Sequence, residues 1–379
     1  MKNTKRYYKS TGKSLFCAEY LFQEAMKSNP NTFLMKVNEF VNWQKYTESC
    51  LKLYKAKATL GAPIYEPKLI IKMLFLAFLF NKSDRETERI VNDSISMKNF
   101  LELAFSEAAP DHSSLSVFRN RIIKNGNAEL LQEIFTDIIF TAQENGVKFS
   151  AIQVIDSTHT IANVNCIKDK QRQKPKKDGG DGKSPRDPDS KTGVKGFQKI
   201  KTKDGKFVEI PKYIYGYKNH YSVNSELGLI TGLKVTDASR YDGHFFKELM
   251  ENDLKLKIAK PEETIFTADK GYDDGENNAW LNQNKLKDAI FYRGMGKIKE
   301  AKVRFTTYTS QEEFMSGVTK RYVVERVNGD VKAHHGLGQA RYIGMAKMEI
   351  QSYLTAIAHN LKILVKSIHG VGLRTGARF

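Results

Sequence analysis

The sequence predicts an α/β domain preceded by an all-α N-terminal domain, and three observations carry that expectation. Apolar residues recur at helical spacing from about Asn31 to Asn145. At Lys148 the period shortens to that of strands. Several of the strands that follow end in an acidic residue.

Within the helical part, Pro67 opens a strongly apolar helix that runs to Phe80, since proline suits a first helical turn. Ser83 and Glu86 form an S-x-x-E capping box for a short helix ending near Val91. An apolar stretch from Met97 to Phe105 follows. PDHSSLSVFRNRIIK then places Leu115, Phe118 and Ile122 on one helix face, with Asp111 or Ser113 as N-cap. A last helix spans Ala128 to Asn145. In the second part, strands are expected at KFSAIQVID, YKNHYSVNS, LITGLKVTD, TIFTAD and DAIFYR. Helices are expected near Gly243–Asn252, Glu276–Leu286, Val318–Ala333 and Met345–Lys366. The resulting division is a basic tail at 1–30, a helical domain at 31–146, an α/β domain at 147–366 and a C-terminal tail at 367–379.

The charge narrows the partner. The chain of 379 residues holds 61 Lys and Arg against 43 Asp and Glu, a formal net charge of +18. Such a surplus suits a polyanion, because each neutralised phosphate releases condensed counterions. Much of it is concentrated: residues 168–206, within an insertion at 166–212, carry 14 basic and 6 acidic side chains. This stretch has too few apolar residues for a core and is expected to order on DNA through Lys174, Lys176, Lys177 and Arg186. Three cysteines, far apart and without a CxxC, argue against a disulfide framework or structural zinc and point to a reducing cytosol. The apolar run from Leu69 to Phe80 falls short of the ~20 residues that cross a bilayer.

Phosphodiester cleavage needs negative charge stabilised on both the attacking and the leaving oxygen. Two hard dications about 4 Å apart do this, and they take carboxylate oxygens. Asp156 ends VID, where a buried strand is expected to meet solvent. Asp269 ends TIFTAD ahead of Lys-Gly-Tyr. Glu325 lies on a helix with Arg321 four residues before it and Lys332 seven after, so all three share a face. A surface ion-pair ladder has the same spacing.

In order and context, these residues resemble the DDE transposases of bacterial insertion sequences. VIDSTHTIANVN and ADKGYDDGENN are similar to the family's two aspartate blocks. Arg321, Glu325 and Lys332 match most of its Y-x2-R-x3-E-x6-K signature, whose tyrosine position holds Val318. YGYKNHYSVNSELGLITGLKVTDASRYDG resembles the stretch between the aspartates, and residues 62–122 resemble the family's helical N-terminal domain. The resemblance implies an RNase H-like mixed-sheet catalytic domain in which Asp156, Asp269 and Glu325 hold two Mg²⁺ ions, with Mn²⁺ able to substitute. It implies catalytic support from Arg321 and Lys332. It further implies double-stranded DNA partners (element ends and target), a homodimer or higher oligomer on DNA, and a nucleoid-associated bacterial protein.

Ser113, Ser114, Arg119, Arg121 and Lys124 occupy the polar side of one helix with Ser116 beside them, a pattern that fits DNA contacts from a recognition helix and equally a solvated helix face. Tyr213, Tyr215, Tyr217 and Tyr221 alternate on one strand, a pattern that serves base stacking or sheet packing. His220 is read as a packed strand histidine. Two other functions stay open at this point: a domesticated or inactive copy that only binds DNA, and another RNase H-like nuclease.

Overall fold

The computed structural model describes residues 20, 21, 24, 25, 27, 33–51, 53, 64–126, 129–202, 204–292, 294–297, 302, 303 and 308–373. Most of the tail expected at 1–30 and the end of that at 367–379 lie outside them, as does Ala128. The chain divides into two compact units, residues 1–147 with 353–379, and residues 148–352. The last helix is therefore shared between the two.

The first unit is helical: α1 (Phe33–Phe40), α2 (Lys45–Leu51), α3 (Pro67–Leu79), α4 (Asp84–Asp93), α5 (Ile95–Phe100), α6 (His112–Gly126) and α7 (Glu129–Glu144). Pro67 stands in the first turn of α3, which is buried around most of its circumference. The lysine that interrupts this apolar helix is satisfied internally. Lys72 donates to Phe100 O at 2.9 Å and Glu102 Oε1 at 2.7 Å. The capping box ahead of α4 forms as the sequence indicates, with Ser83 Oγ accepting from Glu86 N and Glu86 Oε2 accepting from Ser83 N. At the start of α6, Asp111 Oδ1 accepts from Ser113 N at 2.6 Å, so Asp111 is the cap.

The second unit comprises β1 (Ile152–Ile161), α8 (Cys166–Gln173), β2 (Lys191–Lys201), β3 (Phe207–Asn224), β4 (Leu229–Asp237), α9 (Phe246–Lys255), β5 (Ile265–Ala268), α10 (Gly275–Gln283), β6 (Lys287–Asp288), α11 (Gln311–Lys320) and α12 (Tyr322–His335). Helix α13 (Met345–His369) begins in this unit. The sheet core runs β4, β3, β1, β5, β6, with β4, β3 and β1 antiparallel and β1, β5 and β6 parallel. This is the mixed five-strand arrangement of an RNase H-like domain. Strand β3 is longer than expected, and its first half pairs with β2 as a ribbon leaving the sheet. Strand β6 is brief, but Ala289 N and Phe291 N continue its ladder onto Phe266 O and Ala268 O.

Both faces of the sheet are covered, because β1 and β5 alternate apolar residues to each side. Ile155, Phe266 and Ala268 pack with Phe246, Leu249 and Met250 of α9, while Ile265 and Ala289 pack with Phe314 and Val318 of α11. Gly317 permits that second contact. A Cβ there would lie 2.4 Å from Ala289 Cβ and 2.9 Å from Ile265 Cγ2. The single helix expected across Val318–Ala333 is broken at Arg321, which joins α11 to α12. Among the described residues no helix is long and apolar enough to cross a membrane.

The insertion is structured rather than open. It lacks an apolar core, as its composition dictates, but two buried carboxylates organise it. Asp169 accepts from Arg186 N at 2.8 Å and the Tyr215 hydroxyl at 3.1 Å, and the Tyr217 hydroxyl lies 2.6 and 2.7 Å from the two oxygens of Asp187. Tyr215 and Tyr217 are thus committed to packing, and Tyr221 is fully buried.

One expected DNA contact is overturned. Arg119 is buried, 4% exposed, and paired through both guanidinium nitrogens with Asp84 of α4. Breaking a buried pair by removing one partner strands the other charge, which costs about 3 kcal/mol or more. Arg119→Ala is expected to lose about that much in urea unfolding, and Arg119→Met with Asp84→Leu to recover most of it. An Arg119→Ala protein as stable as wild type would contradict the packing role.

Candidate active site

The pairing of β1 with β5 places the two aspartates together. The parallel register sets Ile155 beside Ala268, so the next residue on each chain, Asp156 and Asp269, stand side by side about 4.8 Å apart in backbone. By alternation both point to the face that carries α11 and α12. Asp156 is not at the end of its own strand, as the sequence suggests, since β1 continues to Ile161. It is β5 that stops, at Ala268, so that Asp269 leaves the ladder beside Asp156.

Each aspartate is locally fixed. Asp269 remains extended and its Oδ1 accepts from Gly271 N at 2.8 Å, capping a short 3₁₀ turn. A Cβ on Gly271 would sit 2.9 Å from that oxygen, so glycine keeps the carboxylate in place. Asp156 Oδ2 accepts from Asn328 Nδ2 at 3.3 Å. Burial pushes the Asp156 carboxyl up to about 7, and the charges of Asp269 and Asp242 add to this, against the Ser157 backbone N–H and Arg321.

Helix α12 approaches from above that face. Arg321, Glu325, Asn328 and Lys332 fall on one stripe at successive turns. Asn328 touches Asp156, and Lys332 is close enough for Asp156 to oppose the fall in its pKa that burial and Lys195 cause. Arg321 lies over the Phe291 ring at 5.6 Å and pairs with Glu325. Glu325 is the exception. Its side chain is 55% exposed and turned to Arg321, and the three carboxylates are not gathered within 4.8 Å of one another. Two of the expected carboxylates are together, with the third one helical turn from the residue that touches Asp156.

The far end of α12 is tied to the same strand as Asp156. After Gly336, which takes a left-handed φ of 72°, Thr160 Oγ1 donates to Leu337 O at 2.7 Å. Ile161 N donates to Gly338 O and accepts Ala340 N at its own carbonyl. Val318 faces the core, not the site.

Sequence reasoning missed Asn328, although its spacing three residues after Glu325 puts it on the same face. It also missed Asp242, which approaches from the loop before α9 and is held by Lys218 Nζ at 2.8 Å; nothing local marks it. His220 is buried and packed: Nε2 lies 2.9 Å from Thr236 Oγ1, the ring meets Phe245, and burial lowers its pKa to about 4. Of the expected DNA contacts, Ser113 and Lys124 are exposed and Ser114 and Arg121 half-buried, while Lys174, Lys176, Lys177 and Arg186 are exposed. Residues 31–147 hold 14 basic and 14 acidic side chains. The positive surplus therefore lies elsewhere in the chain.

Residues 22–121 match the family described as Transposase domain (DUF772), and residues 181–361 match the Transposase DDE domain. The chain is 32% identical over 149 residues to the transposase for insertion sequence element IS1106 of Neisseria meningitidis serogroup B. The chain belongs to the insertion-sequence DDE transposases. The IS1106 match covers 39% of this chain and 47% of its relative, so the chain spans about half the length of that relative. The DDE match takes in Asp269 and Glu325, and Asp156 precedes it. Among solved structures, a piggyBac transposase synaptic complex with hairpin DNA aligns with 97% of this chain and 80% of that one, at 11% identity and a TM-score of 0.41. A Mos1 transposase paired-end complex with left transposon end aligns with 84% and 82% of the two chains, at 10% identity and a TM-score of 0.21.

The donor set fits a hard dication. Two neighbouring carboxylates repel each other, a third acidic group stands near, and the donors are all oxygen. A metal-free protein should then show the cost of burying Asp156 beside a second carboxylate. Because the folded pKa of Asp156 (about 7) lies above the ordinary 3.8, the group lowers folded-state stability increasingly as pH rises from about 4 to 7. Metal-free Asp156→Asn is expected to melt about 3 °C or more above wild type at pH 7.5, with the gap closing near pH 4. Adding Mg²⁺ should raise the wild-type melting temperature and leave the variant unmoved. A gap independent of pH, in calorimetry across that range, would contradict the geometry.

Proposed function

We propose that the chain is an active DNA transposase. On this reading it binds the ends of an insertion sequence, cleaves the DNA by metal-dependent phosphodiester hydrolysis and joins the 3′ ends to target DNA. The observation that carries it is the side-by-side placement of Asp156 and Asp269 beneath the Arg321, Glu325 and Lys332 stripe of α12. Asp156, Asp269 and Glu325 would hold two Mg²⁺ ions, with Mn²⁺ as a substitute; such a pair lowers the pKa of a bound water and balances charge on the attacking and leaving oxygens.

The chain's own residues do the remaining work. Asn328 orients the Asp156 carboxylate through its amide N–H. Lys332, half-buried beside Asp156, offers a desolvated positive charge to the phosphate as its negative charge grows. Arg321 lies over the Phe291 ring, where it positions Glu325 and is able to exchange that partner for a phosphate oxygen. Exposed Lys174, Lys176, Lys177 and Arg186 of the insertion, with Ser113, Ser114, Arg121 and Lys124 of α6, supply backbone contacts to double-stranded DNA. Joining two element ends to one target requires two active sites, which favours a homodimer or higher oligomer on the DNA. The turn of Glu325 toward Arg321 favours one second reading, a copy that binds DNA without cutting it.

The test is a nicking assay on duplexes taken from the DNA on either side of the coding sequence, with gel shifts and melting curves beside it. Asp156→Ala, Asp269→Ala and Glu325→Ala should each reduce cleavage by at least about 10³-fold while leaving DNA binding within about threefold. Asp156→Ala combined with Glu325→Ala should be hardly worse than either alone. Arg321→Ala and Lys332→Ala should be milder, and excess EDTA should stop cleavage. A folded Glu325→Ala protein that cuts at the wild-type rate would reduce Glu325 to a surface ion-pair residue. A wild-type protein that binds and never cuts would establish the second reading.

A further inference from the structure

Past Gly216 the sheet continues as a ribbon of two strands only, β2 against the first half of β3, with a bulge at Lys195. Its side chains are unusual for a solvated hairpin. Phe197, Phe207 and Tyr213 are 69%, 70% and 63% exposed, and the register puts them on one face with Val194 and Pro211. Ile200, Val208 and Ile210 are exposed on the other. A two-stranded ribbon is marginal by itself, and apolar exposure on both faces marks a contact surface.

The charge selects the occupant. Residues 191–212 contain seven lysines against Asp204 and Glu209 alone. A second copy of the ribbon would be repelled, whereas a polyanion would be held. The major groove of duplex DNA is wide enough for a two-stranded ribbon and offers thymine methyl groups to apolar side chains. The ribbon is also rooted at the candidate active site: β3 carries Tyr221 directly opposite Asp156, and Lys195 is charged beside Lys332.

Resting on the transposase reading, we propose that this ribbon is an arm that enters the major groove of the bound duplex about one helical turn from the cleaved phosphate. Tyr213 and Phe207 precede Tyr221 by eight and fourteen residues. At ~3.3 Å per residue they lie up to about 26 and 46 Å along the strand from the Asp156 row. At ~3.4 Å per base pair this corresponds to about 8–14 base pairs of duplex. Phe197, Phe207 and Tyr213 meet base edges there, and the lysines meet the flanking phosphates.

The experiment is hydroxyl-radical footprinting of the full-length protein on a 60-base-pair element-end duplex in Ca²⁺, with the mass of the complex measured by light scattering. Two variants are compared with wild type: residues 197–211 replaced by an Asn-Gly turn, and Phe197→Ser with Phe207→Ser and Tyr213→Ser. Protection about 8–14 base pairs from the cleavage point should disappear in the shortened ribbon and weaken in the triple serine variant, with protection nearer that point retained. Affinity should fall about tenfold for the shortened ribbon, and its log–log salt slope should flatten by about 3, because four lysines are lost. The triple serine variant should keep the wild-type slope. An unchanged footprint and slope overturn the proposal, as does a loss of mass that shows the ribbon joining two copies of the chain. If wild type itself gives no footprint, it is the transposase reading that fails.

Discussion

The structure depends on the parallel pairing of β1 with β5. That pairing is only four residues long, yet it fixes which residues of two distant segments become neighbours. A slip of one residue would turn Asp156 or Asp269 to the opposite face, into the apolar packing around Phe246 and Phe266. The register is held by burial on both sides of the sheet, because Ile155, Phe266 and Ala268 fill one face while Ile265 packs on the other. The two carboxylates therefore face each other at a cost borne by the core, and the raised pKa of Asp156 reflects its burial first and the charge of Asp269 beside it second.

Helix α12 is positioned by the same strand. Its C-terminal end is fastened to the last residues of β1, and Asn328 contacts Asp156 from its middle. Its N-terminal end meets α11 at Arg321, where the close approach of Gly317 to Ala289 sets the path of the incoming helix. The stripe of charged and polar side chains on α12 is thus braced at both ends by packing and backbone contacts. The insertion follows a parallel logic with polar means. Asp169 and Asp187 replace an apolar core, and tyrosines of β3 satisfy them, so a lysine-rich segment acquires a fixed path without apolar burial.

What the sequence disclosed follows from the range of each interaction. The capping box at Ser83, the proline start of α3 and the helical stripe of Arg321, Glu325 and Lys332 are local patterns, and they are present as read. Arg119 was misread because helical spacing marks it as polar and outward. Its partner, Asp84, is 35 residues away and draws it into the helical unit. The insertion was misread because lysine content masks two aspartates whose tyrosine partners lie on a strand 28 to 46 residues later. Asp242 has no local signature, and only the fold brings it near Asp156. Glu325 was correctly placed on its face, but periodicity does not report which neighbour a long side chain takes, and here that neighbour is Arg321.

The central claim is that Asp156 and Asp269 form one metal-binding floor and that Glu325 closes it. The most direct measurement is anomalous diffraction from crystals of the protein grown with Mn²⁺. The account predicts Mn²⁺ between Asp156 and Asp269, with the Glu325 carboxylate released from Arg321 and within coordination distance of about 2.2 Å. Mn²⁺ absent from the two aspartates, or bound there with Glu325 still paired to Arg321, would contradict it.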